Sequence, residues 1–299
     1  MKKRNVYKII SHGGIGDALL TTPVFSALKK KDPDCIIKVY CPDKKHLEVY
    51  RHNPYIDKLG GTSFREQPFL RAIYLFNPAY IESRYYNNNY GKCNPSKIYE
   101  IHASRIIGEM FHLKLHDVTL EVYLTEREEV YGSEMMSKYE HPVIVHTTAS
   151  CTKNKHWTIE KWEELIRLAP DYTFIQIGLK TEQRLKGAVD FRGMSSIRET
   201  MALIKYAKGF VGVESSFAHA CNAVGTPGVV LFGPSAPVMW GHKTNINLFK
   251  GVTCAPCIDI LLSSACPYNN FCMKDISVDE VRYALEAQVK LPVIQTVTI

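Results

Sequence analysis

The sequence predicts an α/β protein built of two Rossmann-like domains with parallel sheets. Three observations carry this expectation. Short apolar runs alternate with stretches of helical period along most of the chain. The alternation starts afresh after a charged helical segment, Glu126–Glu140, and a break at His141-Pro142. In each half, a strand runs into a turn that opens a helix, the place where α/β sheets bind ligands. The turn in the first half is Ser11-His12-Gly13-Gly14-Ile15-Gly16-Asp17, and in the second Glu214-Ser215-Ser216. The 299 residues suit two domains of about 150 each, divided here as 1–140 and 141–299. Two such domains are expected to face each other across a central cleft at the carboxyl ends of their strands.

Taken in order, Val6–Ile10 reads as a buried strand before the glycine turn. Leu20, Val24, Ala27 and Leu28 mark the following helix, with Thr22-Pro23 as a cap and first position where it restarts. Asp32-Pro33-Asp34 ends it. Ile36–Cys41 is a second strand, His46–Arg51 a short helix and Ala72–Phe76 a third strand. Residues 77–95 form a turn-rich loop of Tyr and Asn, residue types suited to stacking on and hydrogen bonding a sugar or a base. Lys97–Leu113 is an amphipathic helix, and Val118–Leu124 alternates as a strand. In the second half the expected strands are Val143–His146, Tyr172–Gly178, Phe210–Val213 and Gly228–Phe232. The expected helices start at Thr158 and span Ile197–Ala207, Phe217–Val224 and Val278–Val289.

A formal charge of +7 and a pI near 8.8 favour acidic partners: phosphates, anionic lipid surfaces or nucleic acid. The longest basic block is only Lys29-Lys30-Lys31, so a mildly basic face explains the charge equally well. No apolar run approaches the length of a membrane span, and the run after Met1-Lys2-Lys3-Arg4 is too short for a signal peptide. The expected location is the cytoplasm.

The candidate sites follow from chemistry. Backbone N–H groups at a helix start bind anions, and Ser215 and Ser216 add hydroxyl donors there. Lys155, in a loop that also holds Thr147 and Thr148, is expected as a point charge on the far side of the same cleft. Together these groups would stabilise a departing diphosphate. His219 lies one turn into the same helix. Simple N-capping by the serines, a core histidine and a surface lysine are the bland alternatives. Asp17 is either a first-turn cap or a general base for an acceptor hydroxyl, with His12 beside it to tune it or hold substrate. A dinucleotide fingerprint fails, since the third glycine position is Leu19. Asp32-Pro33-Asp34 follows a helix and reads as a turn, so no catalytic divalent metal is expected. Cys254-Ala255-Pro256-Cys257, with Cys266 and Cys272, has spacing suited to a structural Zn²⁺ or iron site; four free thiols packing a loop is the alternative. The five remaining cysteines read as small core residues.

The chain resembles bacterial glycosyltransferase family 9, the heptosyltransferase type. The resemblance rests on Gly13-Gly14-Ile15-Gly16-Asp17 with Thr22-Pro23, Asn53-Pro54-Tyr55-Ile56-Asp57, Lys155-His156-Trp157, and Met194-Ser195. It continues through Gly212-Val213-Glu214-Ser215-Ser216-Phe217-Ala218-His219, Leu231-Phe232-Gly233-Pro234-Ser235 and the Cys-x-Pro-Cys cluster. It implies a GT-B fold and an inverting, metal-independent transfer with Asp17 as base, His12, Gly13 and Gly14 on the acceptor side, and an N-terminal acceptor domain. It further implies a nucleotide-sugar donor, commonly ADP-heptose, on the C-terminal domain. There Lys155 holds phosphate, Glu214 and the serines lie by the donor, Met194 is near the adenine, and His219 supports the phosphate site. The acceptor expected is a lipopolysaccharide core or other anionic surface glycan, with peripheral association at the inner face of the membrane. A protein or nucleic-acid acceptor, a nucleotide-sugar epimerase, and a non-catalytic nucleotide- or metal-binding module are the competing readings. The chain departs from the family pattern in having Glu214-Ser215-Ser216 where Asp-Thr-Gly or Asp-Ser-Gly is usual.

Overall fold

A computed structural model describes residues 4–61, 80–83, 100–258 and 264–290 of the protein. The expected strand Ala72–Phe76 and nearly all of the Tyr/Asn loop lie outside these residues. The chain divides into two compact units, residues 1–129 with 238–240, and residues 130–237 with 241–299. The division falls inside a helix, Glu126–Met136, and not at the His141-Pro142 break.

The first unit contains β1 (Val6–Ile10), α1 (Ile15–Lys31), β2 (Ile36–Cys41), α2 (Lys44–Tyr50), β3 (Lys58–Gly61), β4 (Tyr80–Glu82) and α3 (Ala103–Met110). Among the described residues its sheet has the order β3-β2-β1-β4, and every pairing is parallel. Strand β1 therefore has its sequence successor on one side and β4 on the other. The glycine turn after β1 sits at this topological switch point, where open α/β sheets bind ligands.

Helix α1 does not restart at Thr22-Pro23; it runs unbroken through Pro23. A proline inside a helix leaves the carbonyl four residues earlier without its donor. Here the Thr22 hydroxyl donates to that carbonyl, Leu19 O, at 2.7 Å. Thr22 Oγ1 also accepts the Glu121 N–H at 2.9 Å. Val118–Leu124 pairs with no strand among the described residues despite its alternation; instead Glu121 at its centre is tied to α1, its N–H by Thr22 and its carboxylate by the Ser26 hydroxyl, which donates to it at 2.6 Å. The expected helix Lys97–Leu113 is shorter, beginning at Ala103, because His102 caps it by accepting the Ser104 N–H at 3.2 Å.

The second unit contains α4 (Glu126–Met136), β5 (Pro142–His146), a 3₁₀ turn at Lys153–Lys155, α5 (Ile159–Leu168), β6 (Thr173–Gln176), β7 (Val189–Asp190) and α6 (Ile197–Tyr206). It continues with β8 (Gly209–Val213), α7 (Ser216–Val224), β9 (Gly228–Phe232), α8 (Pro237–Trp240), β10 (Asn245–Phe249), α9 (Phe271–Lys274) and α10 (Val278–Lys290). Although α4 and α8 are placed here in chain order, the first few residues of α4 and the last three of α8 fall in the first unit. The sheet order is β10-β9-β8-β5-β6-β7, again all parallel. Strands β5, β8 and β9 are buried along their whole length, as strands covered on both faces by helices must be. The core around them includes Val145, Val211, Leu231, Phe174, Trp162 and Leu285. Trp157 stacks edge-on against Trp162 at 4.8 Å and donates its indole N–H to Ile276 O at 3.0 Å. Among the described residues no helix is long and apolar enough to cross a membrane.

Candidate active site

In the first unit, Gly13 has φ +82°, a left-handed conformation that favours glycine. A Cβ on Gly13 would lie 2.2 Å from Asp17 Oδ2. The glycine thus makes room for the Asp17 carboxylate to fold back over the turn, where it accepts the Gly14 N–H at 2.6 Å. Asp17 is half-buried on the first turn of α1 and lies near its positive end. The capping geometry expected as one alternative is therefore real, and it orients the carboxylate without burying it.

Beneath the turn lies a buried polar chain that local sequence patterns do not reveal. His46, on the first turn of α2, places Nε2 3.1 Å from Gly13 O and Nδ1 2.8 Å from Ser11 Oγ. Ser11 Oγ is in turn 2.9 Å from the Tyr50 hydroxyl. Burial lowers the His46 pKa, against the opposing pull of Asp43. The His12 N–H donates to Ser83 Oγ, just past β4, at 3.2 Å, so the turn is fastened on both sides of the switch point.

The second unit also places its site at a switch point, between β5 and β8. The loop after β5 supplies Thr147, Thr148 and Lys155; the turn after β8 supplies Glu214, Ser215 and Ser216. Lys155 is only 6% exposed, and the surface-lysine alternative fails. Its ammonium forms an ion pair with Glu214, whose Oε2 also accepts the Ser235 hydroxyl at 2.6 Å. Burial alone would pull the Lys155 pKa down, but the Glu214 carboxylate and Cys151 more than offset this and raise it. His219 Nε2 lies 3.9 Å from Glu214 Oε1, and its Nδ1 lies 2.8 Å from His242 Nε2. On the other side of the turn, His146 Nδ1 meets Ser215 Oγ at 3.1 Å. Burial, then the charge on His156, lowers the His146 pKa to about 3, so this imidazole is neutral.

The expected donor-side residues Lys155, Glu214, Ser215 and His219 thus come together, and His146, Ser235 and His242 join them. Thr147 is buried, and its Oγ1 has no hydrogen-bond partner among the described residues. Thr148 and Ser216 are half-buried, and Met194 stands 62% exposed on the loop after β7. Ser215 has φ −162°, and Ser216 is helical, so neither position requires a glycine. The departure from the family's usual Asp-Thr-Gly or Asp-Ser-Gly is therefore conformationally unstrained.

The cysteine loop braces this site. Cys257 N–H donates to Pro234 O at 2.9 Å, next to Ser235. Cys266 N–H donates to Asn154 Oδ1 at 3.2 Å, next to Lys155, and Asn154 returns a bond to Ser264 O at 2.9 Å. Burial, then the charges of Cys254 and Cys266, raises the Cys257 pKa, and burial, with the charges of Cys257, Cys266 and Cys254 added, takes Cys272 to about 11. The four thiols sense one another, but among the described residues no three His, Cys, Asp or Glu side chains come together as a metal-holding group.

Two parallel sheets, each with a polar strand-end turn at its switch point, define the class: an α/β protein of the GT-B glycosyltransferase fold. Residues 107–264, more than half of the chain, match the model of glycosyltransferase family 9 (heptosyltransferase), and the protein belongs to that family. No curated protein matches it by sequence. Among solved structures it is similar to a family 9 glycosyltransferase from Veillonella parvula DSM 2008, with 17% identity and a TM-score of 0.72 over 96% of this chain and 97% of that one. It is also similar to the E. coli ADP-heptose LPS heptosyltransferase II, with 14% identity and a TM-score of 0.71 over 95% and 98%. A third is the iron-containing dodecameric glycosyltransferase TibC of enterotoxigenic E. coli H10407, with 17% identity and a TM-score of 0.72 over 96% and 77%. TibC has also been solved in complex with ADP-D-β-D-heptose.

Proposed function

We propose that this glycosyltransferase moves a heptose, or a related sugar, from ADP-heptose to a hydroxyl of a lipopolysaccharide core or other surface glycan. The transfer is inverting and needs no catalytic metal. The observation that carries this reading is the buried Lys155 beside the opening turn of α7. A lysine kept charged next to a helix start is suited to a diphosphate. The names of the similar structures, ADP-heptose among them, favour that donor.

The second unit takes the donor and the first takes the acceptor. Thr147, Thr148, Ser215 and Ser216 offer hydroxyls to the diphosphate, and Met194 packs near the base. Glu214, Ser235 and His219 hold Lys155 and the turn in place. His12, Gly13 and Gly14 border the acceptor. Asp17 takes the proton of the acceptor hydroxyl as its oxygen attacks the sugar's anomeric carbon. The bond from that carbon to the diphosphate breaks on the opposite face, and its electron pair leaves with the nucleoside diphosphate. The Lys155 ammonium and the N–H groups opening α7 meet the charge that develops there. No step runs through the cysteines. A lipid-linked acceptor would place the enzyme at the cytoplasmic face of the membrane, where its positive charge favours an anionic surface.

Two measurements test this. ADP-sugars should raise the melting temperature where UDP- and GDP-sugars do not, since a ligand of the native state stabilises it. Asp17→Ala should lower transfer from ADP-heptose about 10²- to 10⁴-fold while leaving ADP binding intact. Transfer at a near-normal rate in that variant would remove Asp17 as the base.

A further inference from the structure

We infer that His46 is a positioning residue for Asp17, acting through the Gly13–Gly14 peptide that the two side chains hold from opposite ends. The Gly13 carbonyl accepts from His46 Nε2 at 3.1 Å, and the Gly14 N–H donates to Asp17 Oδ2 at 2.6 Å. These are the C=O and N–H of one peptide unit, which is planar and trans, so its two polar ends point in opposite directions. Turning the plane to break one bond breaks the other. Gly13 sits at φ +82°, where glycine has the least steric restraint on such a turn. Without a clamp on the carbonyl, the N–H that aims the carboxylate is free to swing.

The direction of each bond follows from the acceptors. A carbonyl only accepts, so Nε2 carries the hydrogen. The neutral ring then accepts at Nδ1 from the Ser11 hydroxyl, and Ser11 Oγ accepts from Tyr50. Tyr50 and His46 are both buried, so the ring has little freedom to tilt. The chain Tyr50 → Ser11 → His46 → Gly13/Gly14 → Asp17 therefore points one way. Each link polarises the next, which makes the Gly14 N–H a better donor to the carboxylate. The titratable groups facing His46 are Asp43 at the start of its own helix, His12 and Asp17 from the turn, and Tyr50 through Ser11. Burial keeps the ring neutral against the two carboxylates.

This inference rests on Asp17 as the base, and the experiment separates the two. His46→Leu removes the donor; His46→Gln keeps an N–H donor at similar reach. In the full-length enzyme, His46→Leu should lower kcat about three- to tenfold, the worth of one hydrogen bond, with the donor KM within about twofold of the unmodified enzyme. His46→Gln should restore most of the rate. A nitrogen-15 histidine spectrum of the unmodified protein should show His46 hydrogenated at Nε2 and bare at Nδ1 between pH 6 and 8. If Asp17→Asn abolishes turnover but His46→Leu keeps the kcat of the parent enzyme, the positioning role is wrong and the base stands. If Asp17→Asn turns over normally, both fall. A His46 spectrum showing hydrogen at Nδ1 alone overturns the relay even if His46→Leu does not fold.

Discussion

The two strand-end turns solve different problems with the same parts. Each follows a parallel strand at a switch point, opens a helix, carries one carboxylate and rests on a buried histidine. In the first unit the carboxylate, Asp17, comes from the helix, stays half-buried and is held by a backbone N–H. In the second, Glu214 comes from the strand end, is buried, and is committed to Lys155 and Ser235. A carboxylate that must accept a proton needs access and an adjustable hold. One that must keep an ammonium charged at a fixed place needs burial and several partners. Glycine is required only in the first case, where the side chain folds back across the backbone.

The largest test of this contrast breaks the buried pair. Lys155→Met leaves Glu214 charged and buried, and the second unit should lose about 3–5 kcal/mol in urea unfolding followed by Trp157 and Trp162 fluorescence. Lys155→Met with Glu214→Leu should regain most of it, because two apolar side chains leave no orphaned charge. If the single variant costs nothing, Glu214 is not committed as described. Next comes glycine. Gly13→Ala should cost about 1–3 kcal/mol for a left-handed alanine and drive its Cβ into Asp17, so activity should fall with it. Ser216→Gly, which relieves no strain, should change stability by less than about 1 kcal/mol.

The histidines offer a pH test. His146 has a native pKa of about 3, and an unfolded histidine titrates near its ordinary value. Between those values the unfolded chain binds the proton and the native chain does not. Stability therefore falls as pH drops below about 6.5, by at most about 1.4 kcal/mol per pH unit. His146→Gln should flatten that part of the stability–pH curve, and an unchanged slope would mean the imidazole charges in the fold. The smallest effect is at Thr147. Its hydroxyl is buried without a partner among the described residues, so Thr147→Val should leave stability within about 1 kcal/mol. ADP affinity, measured by calorimetry, should fall about three- to tenfold. Equal loss of stability and affinity would make Thr147 a structural residue.

Much of this was legible in the chain itself. Apolar runs and caps place most strands and helices of the second unit within a few residues, Gly228–Phe232 among them without error. The Gly13-to-Asp17 and Glu214-to-His219 stretches stand out because turn chemistry is local. The misreadings share a cause. Thr22-Pro23 looked like a helix start because a proline normally ends the preceding turn; the Thr22 hydroxyl replaces the missing donor. Val118–Leu124 looked like a strand because alternation records burial, not pairing, and its partners are side chains 95 and 99 residues away.

The sequence by itself determined the alternation of strand and helix, the glycine at a backbone position that needs it, and the polar residues at the strand ends. These depend on neighbours a few residues apart, where steric limits and hydrogen-bonding reach act within one turn. Only the tertiary structure decided what those residues do together. Strand order brings β5 beside β8 and so Lys155 against Glu214, and it brings α2 beneath the first turn and so His46 against Gly13. Such contacts arise when parallel strands pair across long connections, and burial then sets which groups stay charged.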